Sequence, residues 1–213
     1  MGDILADIRS CVVEIRIGET RKLVKQALVE GIPADKIFTE CITKGMELVG
    51  SKYEAGEYFL SELLGAAQAV NEAMQELGPY LQTAPIERIG KVVIGTVRGD
   101  IHDIGKNIVK MLMSSAGFEV FDLDVDVLPE TFVEKSRETK TDVVGMSALL
   151  TTTVGEMKTV IEGLQASGLR PKVKVIIGGA AVSEDYARQI GADAAAGDAA
   201  HGVRLCKGWV GGI

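Results

Sequence analysis

The chain has few of the residues that define several protein classes. It contains only three cysteines, Cys11, Cys41 and Cys206, and they form no Cys-x-x-Cys pair. This wide spacing predicts buried, inert thiols rather than a disulfide framework or a zinc or iron–sulfur site. Histidine is equally scarce, with two among 213 residues. Any histidine chemistry must therefore depend on His102 or His201.

Long apolar runs and basic clusters are missing as well. No stretch approaches the roughly 18 apolar residues of a membrane helix, and acids from Asp3 onward replace a signal-peptide core. The chain has 23 basic and 30 acidic residues, for a net charge of -7, and no Lys/Arg block. We therefore expect a cytoplasmic protein that binds neither a membrane nor nucleic acid.

Residues 1–83 have helical periodicity throughout. Apolar residues repeat at intervals of three and four, with an interruption at Gly18 and a helix end at Gly31. Pro33 marks the start of a third helix, and a fourth runs from about Tyr58 to a stop at Gly78-Pro79. Four short helices with short connections predict an antiparallel four-helix bundle.

The period changes after the polar segment 82–88, which is the predicted linker. Strands are expected at 91–95, 119–122, 142–146 and 174–177, with a weak fifth near Ala194. Helical patterns at 104–116, 130–139, 154–166 and 183–190 alternate with them. Such alternation of apolar strands and helices predicts a flavodoxin-like, doubly wound, five-stranded parallel sheet over residues 89–213. The fold class is therefore α + α/β.

The loop after the first strand contains the pattern Asp100-x-His102-x-x-Gly105. A histidine there lies at the carboxyl end of a strand, where open α/β sheets bind ligands. Asp100 can accept a hydrogen bond from the imidazole and fix its tautomer. Neither a dinucleotide-binding glycine motif nor a P-loop is present. Taken alone, the pattern also fits a histidine with a purely structural role.

Two further strand ends carry distinctive residues. The third strand ends in Ser147-Ala148-Leu149, and the fourth ends in Gly178-Gly179. Carboxyl ends of parallel strands meet at one edge of the sheet, and glycines there leave room for a flat or elongated ligand group. A simple strand-to-helix turn is the alternative explanation for the glycine pair.

In order and spacing these residues resemble the signature of the cobalamin-binding domain shared by methionine synthase, corrinoid methyl-carrier proteins and several adenosylcobalamin mutases. The resemblance implies that His102 is the lower axial ligand of cobalt, Asp100 its hydrogen-bond partner and Thr153 a hydroxyl at the end of the proton relay. It also implies a slot for the nucleotide tail, with further cofactor contacts in the loops. The slot residues are Ser147, Leu149, Gly178 and Gly179. The other contact residues are Ile101, Asp103, Ile104, Gly105 and Thr151.

Residues 49–63 resemble the helical cap that covers the upper face of methylcobalamin in methionine synthase and in the small corrinoid proteins. By that resemblance Tyr53, Leu60 and Leu63 shield the methyl–cobalt bond. The alternative is that all three belong to the core of the bundle. The last stretch, 208–213, does not match the closing helix that is usual in the family.

The resemblance implies a carrier that is not catalytic alone. Its cobalamin would alternate between cob(I)alamin and methylcobalamin, taking a methyl group from a substrate-specific methyltransferase. An acceptor methyltransferase would then pass the group to a thiol or a tetrahydrofolate-type pterin, and a reductive activating protein would reverse oxidation. The linker would be the hinge that moves the cap aside. The alternatives are a cobalamin-dependent sensor and the small subunit of an adenosylcobalamin mutase.

Overall fold

The computed structural model describes residues 3–81 and 88–211, without the side chain of Glu54. The described residues divide into two compact units, one of residues 3–81 with 115–117 and one of residues 88–114 with 118–211. Apart from Arg88, the predicted hinge lies outside the described residues. No helix in the described ranges is long and apolar enough to cross a membrane.

The first unit is helical. Its helices are α1 (Ile4–Val13), α2 (Ile17–Val29), α3 (Ala34–Ile37), α4 (Lys44–Glu54) and α5 (Leu60–Leu81). A π-helical segment, Phe38–Thr43, joins α3 to α4 without a break, so the unit is a bundle of four helical segments. Its core consists of residues spaced at three and four along each helix. They include Ile8, Val12, Val24, Ala27, Ile37, Cys41, Val49, Leu63, Val70 and Leu77.

Two helix limits in this unit differ from the sequence expectation. The break between α1 and α2 falls at Ile15, which has a φ of 61°, and Gly18 lies inside α2. This backbone conformation is unfavourable for a β-branched residue. The Ile15 side chain packs so closely on Gly65 that a Cβ there would lie 2.6 Å from its Cγ2. Close packing of Ile15 against this glycine stabilises the turn between α1 and α2.

The predicted stop at Gly78-Pro79 is wrong, because α5 continues to Leu81 with Pro79 inside it. Proline removes one backbone donor, but here it does so in the last turn of the helix. Leu77 and Leu81, one helical turn apart, are both buried. Burial of Leu81 favours continuation of the helix past the proline.

The second unit is a parallel sheet with helices. The strands are β1 (Lys91–Thr96), β2 (Glu119–Asp122), β3 (Val143–Ser147), β4 (Lys174–Gly178) and β5 (Ala194–Ala196). The helices are α6 (Ile104–Ser115), α7 (Pro129–Thr139), α8 (Gly155–Ala166), α9 (Glu184–Ile190) and α10 (Ala199–Val210). The strand order is β2-β1-β3-β4-β5, the flavodoxin-like order. The predicted fold class is confirmed. Residues 208–210, in the last stretch, which does not match the closing helix usual in the family, form the end of α10.

The strand order creates a switch point between β1 and β3. The chain leaves β1 toward β2 on one side and leaves β3 toward β4 on the other, and such points form ligand crevices in open α/β sheets. Pairing also aligns Thr96, Ser147, Gly178 and Ala196 across four strands. Because paired residues share a face, this row lies on one face at the carboxyl edge.

All three cysteines are buried and unoxidised, as predicted. Burial raises the pKa of both Cys41 and Cys206 to about 12. Because the thiolate is the reactive form, these thiols are inert at neutral pH.

The glycine pair at the end of β4 supports a test with a built-in control. A Cβ on Gly179 would lie 2.0 Å from the carbonyl oxygen of Ala148, at a φ of +118°, whereas a Cβ on Gly178 would meet nothing nearer than 3.9 Å. We expect Gly179→Ala to lower the free energy of unfolding by more than about 1 kcal/mol. Gly178→Ala should change it by less than about 0.5 kcal/mol. Urea denaturation of the cofactor-free variants measures both, and equal stabilities would contradict this account.

Candidate functional site

Asp100 and His102 form a pair in the loop between β1 and α6. Nδ1 of His102 lies 2.7 Å from Oδ1 of Asp100, and the backbone N–H of His102 donates to the same oxygen at 3.0 Å. The Asp100 side chain is completely buried, whereas that of His102 is 46% exposed. The pair therefore joins a buried carboxylate to an imidazole that solvent or a ligand can reach.

The other oxygen of Asp100 accepts hydrogen bonds from the loop after β3. Oδ2 accepts from the backbone N–H groups of Leu149 and Leu150 at 2.8 and 3.2 Å, and from the Thr153 hydroxyl at 2.8 Å. Burial by itself would raise the pKa of Asp100, but the hydrogen bonds from His102, Thr153 and Leu149 outweigh it and hold that pKa well below its ordinary value. Asp100 is therefore ionised at neutral pH.

An ionised Asp100 fixes the tautomer of His102. Since a carboxylate can only accept, Nδ1 carries the proton and donates it to Oδ1. Nε2 is then the ring nitrogen with a free lone pair, the arrangement found when a carboxylate orients a metal-binding histidine. The Thr96 hydroxyl donates to the carbonyl oxygen of His102 at 3.1 Å, so the backbone of the histidine is held as well.

The loop after β2 supports the Asp100 loop from the other side. The N–H of Gly99 donates to Oδ1 of Asp126 at 2.7 Å, and the N–H of Asp126 donates to the carbonyl oxygen of Asp100 at 3.0 Å. Gly99 has a φ of +79°, a left-handed conformation that favours glycine. Three strand ends, those of β1, β2 and β3, thus converge on Asp100.

Two of the three predicted glycines have open space beside them. A Cβ on Gly105 would meet no atom within 4 Å, and one on Gly178 would make only an ordinary contact with Ala196. Neither glycine has the left-handed backbone that would demand it, so both leave room that the protein itself does not fill. Gly179 differs, because its backbone and the Ala148 carbonyl exclude any side chain.

The loops that hold the Asp100–His102 pair also expose apolar side chains. Ile101 is 73% exposed and Ile104 is 78% exposed, and Leu149 and Leu150 are also exposed. An apolar surface beside an oriented imidazole, with unfilled room at two glycines, fits a large macrocycle that has an apolar face and a metal at its centre. Cobalamin has this chemistry.

The remaining predicted residues lie in both units. Ser147 is half-buried in the aligned row, Thr151 is exposed and Asp103 accepts a hydrogen bond from Asn107. The cap residues belong to the first unit, where Tyr53 is half-buried, Leu60 is exposed and Leu63 is buried. Burial of Leu63 agrees with the alternative that it is a core residue. The shielding role of the three stays a prediction.

Several groups in or near the site were not among the predicted site residues. Leu150 acts through its backbone N–H, and Asp126 and Thr96 act from neighbouring strand ends. Backbone donors leave no sequence signal. The buried Lys106 did leave a sequence signal, because it lies one heptad before Met113 and therefore falls on the buried face of α6.

Comparison with known proteins agrees with the geometry. A family model described as a B12 binding domain matches residues 90–206, and a second one matches residues 4–77. The chain is 38% identical over 204 residues to dimethylamine corrinoid protein 3 of Methanosarcina acetivorans, covering 96% of this chain and 95% of the relative.

Two solved structures are similar to the chain over almost all of its length. A cobalamin-binding protein from Desulfitobacterium hafniense is 35% identical, with a TM-score of 0.78 and 98% of both chains covered. The methanol:cobalamin methyltransferase complex of Methanosarcina barkeri contains a chain that is 27% identical, with a TM-score of 0.87, covering 99% of this chain and 80% of that one. The chain belongs to the family of cobalamin-binding corrinoid proteins of methyltransferase systems, and its cofactor is cobalamin.

Replacing Asp100 by asparagine tests the hydrogen-bond account. An amide leaves buried donors unpaired, so we expect Asp100→Asn to lower the free energy of unfolding by at least about 2 kcal/mol at pH 7.

Because the folded-state pKa of Asp100 is lowered, the contribution of this carboxylate to the free energy of unfolding is complete above about pH 4 and is lost as the pH falls toward the folded-state value. The stability difference should therefore shrink in acid. Denaturation at several pH values measures it, with Asp185→Asn, an 89% exposed carboxylate, as the control. A constant difference across pH would contradict the assignment.

Proposed function

We propose that the chain carries methyl groups on cobalamin held by Nε2 of His102 as the lower axial ligand of cobalt. The observation that carries this proposal is the tautomer fixed by Asp100, which leaves Nε2 with a free lone pair on an exposed imidazole. The position of the pair at the β1/β3 switch point supports the same assignment.

The aligned row at the carboxyl edge supports a place for the nucleotide tail. Ser147 and Gly178 are paired on neighbouring strands, and Gly178 leaves room beside Ala196. We infer that Ser147 and Leu149 line the tail slot and that Gly105 and Gly178 make space for it. Gly179 shapes the turn that ends the slot, because its backbone excludes a side chain.

Cobalamin, when bound, supplies a cobalt centre that accepts and gives up a methyl group. The protein's own part is to bind and orient this group and to manage a proton on the ligand. When Nε2 of His102 is not engaged as a ligand, it can accept a proton, while Nδ1–H of the same ring stays hydrogen-bonded to the Asp100 carboxylate at 2.7 Å. Thr153 and the amide groups of Leu149 and Leu150 keep Asp100 ionised through this change.

Carrier function requires partners that hold the reacting molecules. We propose a substrate-specific methyltransferase, an acceptor methyltransferase acting on a thiol or a tetrahydrofolate-type pterin, and a reductive activating protein, all cytoplasmic. A dimethylamine corrinoid protein covers nearly the whole chain at 38% identity, whereas the methanol complex is 27% identical. Methylated amines are therefore the first donors to try, with methanol for comparison.

The axial ligand is tested by paramagnetic resonance of protein loaded with cob(II)alamin. With nitrogen-15 histidine, we expect the axial nitrogen coupling to change from the nitrogen-14 to the nitrogen-15 pattern. His102→Gln should abolish the histidine coupling, whereas His201→Gln, which removes the only other histidine of the chain, should leave it intact. A coupling that is insensitive to the label would remove His102 from the metal.

A second measurement separates a carrier from a sensor or a mutase subunit. After addition of a methylated amine and a partner methyltransferase, we expect the absorption spectrum of the corrinoid to cycle between its methylated and demethylated forms. His102→Gln should slow this cycling, because the variant lacks the imidazole that, as a ligand, would stabilise one state of the cofactor. Stable binding of cobalamin without any cycling, with every donor and partner tried, would favour the sensor.

A further inference from the structure

A buried ion pair lies close to the histidine loop. The side chain of Lys106 is 0% exposed and that of Asp122, at the end of β2, is 11% exposed, with Nζ 2.7 Å from Oδ1. Nζ also donates to Oδ1 of Asn107 at 2.9 Å. Lysine is almost never fully buried, so this placement requires an explanation.

Stability is a weak explanation for this pair. Removing an ammonium and a carboxylate from water costs about as much as their attraction returns, and a well-packed apolar pair of similar volume often stabilises a protein as much or more. What an ion pair adds over an apolar contact is fixed geometry, because its hydrogen bonds set distances and directions. The role of the Lys106–Asp122 pair therefore depends on which groups it holds in place.

One set of hydrogen bonds leads from Lys106 to the residue after the histidine. Lys106 holds Oδ1 of Asn107, which orients the amide of that side chain. The Nδ2 group of Asn107 donates to Oδ2 of Asp103 at 2.8 Å, and the N–H of Asn107 donates to the carbonyl oxygen of Asp103 at 2.8 Å. The first turn of α6 is thereby fixed at the point where it follows His102.

A second set leads from Asp122 to the histidine itself. Oδ1 of Asp122 also accepts from the N–H of Asp124 at 3.0 Å. The carbonyl oxygen of Asp124 accepts from the N–H of Thr96 at 2.9 Å, and the Thr96 hydroxyl donates to the carbonyl oxygen of His102 at 3.1 Å. Oδ1 of Asp122 is therefore the point where both sets meet.

Lys110 contacts the same carboxylate without belonging to either set. Its Nζ lies 2.8 Å from Oδ2 of Asp122, and its side chain is 45% exposed. Burial would raise the pKa of Asp122, but the bonds from Lys106 and Lys110 outweigh it and lower that pKa. The two lysines thus share a partner and a charge and differ in whether they support the histidine loop.

We propose that Lys106 is a positioning residue for His102, and that its ion pair with Asp122 sets how readily the imidazole engages the cobalt of a bound corrinoid. The inference depends on the proposed function, since it concerns the same ligand. Asp100 fixes the tautomer and the ring, while Lys106 and Asp122 fix the backbone on which the ring is carried.

The test compares Lys106→Met with Lys110→Met in protein loaded with cob(II)alamin. Paramagnetic resonance gives the ratio of molecules with and without axial nitrogen coupling at one pH. Because loss of a group that orients a metal ligand costs about 10–100-fold in metal affinity, we expect Lys106→Met to lower this ratio about tenfold. Lys110→Met should lower it less than about twofold, because exposed ion pairs contribute little.

Asn107→Ala gives a second variant, one that keeps the Lys106–Asp122 ion pair. Asn107 is exposed, so the variant should fold, and it removes the side-chain hydrogen bonds of Asn107 with Lys106 and Asp103. We expect the same ratio to fall, by less than in Lys106→Met. If thermal unfolding of cofactor-free Lys106→Met shows no cooperative transition, Asn107→Ala decides the proposal.

The outcomes separate the two proposals. Absence of axial histidine coupling in the unsubstituted protein would overturn the proposed function. Coupling in that protein, with a ratio in Lys106→Met and Asn107→Ala no lower than in Lys110→Met, would overturn only the positioning role. A lowered melting temperature of Lys106→Met with an unchanged ratio would show that the ion pair is merely structural, and would also overturn it.

Discussion

The Asp100 carboxylate is the group on which the site depends. It is completely buried and remains ionised because five donors, from His102, Leu149, Leu150 and Thr153, surround it. A buried charge is stable only when hydrogen bonds replace its hydration. The donors come from two loops after adjacent parallel strands, so the charge stabilises the switch-point geometry as well as the histidine tautomer. Ligand orientation and local fold therefore share one cause.

A second charged centre, the Lys106–Asp122 pair, lies beside the first and acts on a different part of the loop. Asp100 contacts the imidazole and the amide of His102, whereas the pair reaches the histidine carbonyl and the start of α6 through Thr96 and intervening bonds. A ligand that must both bind and leave a metal benefits from a rigid backbone, because less order is lost on each association. The proposed carrier cycle would use this property at every turnover.

The helical unit shows how packing overrides local preference. Pro79 and Ile15 each occupy a position that local rules disfavour, the one inside a helix and the other in a left-handed conformation. Burial of Leu81 follows from the first, and the close approach to Gly65 from the second. Burial of a large apolar side chain contributes about 2 kcal/mol, which is comparable with the cost of a left-handed residue, about 1–2 kcal/mol, and offsets most of the roughly 3 kcal/mol of a proline inside a helix. Helix limits were for this reason the least predictable part of this unit.

The sequence by itself determined the bundle, the βα alternation and the Asp100-x-His102-x-x-Gly105 motif, because periodicity and turn chemistry depend on neighbours along the chain. It also indicated that Gly178 and Gly179 stand at a strand end. Only the tertiary structure separated their roles, since the Ala148 carbonyl that excludes a side chain at Gly179 comes from the loop after β3. Likewise, strand order decided that backbone donors meet Asp100 and that Lys106 meets Asp122. These contacts join segments distant in sequence, and their free energy exists only once the sheet has assembled.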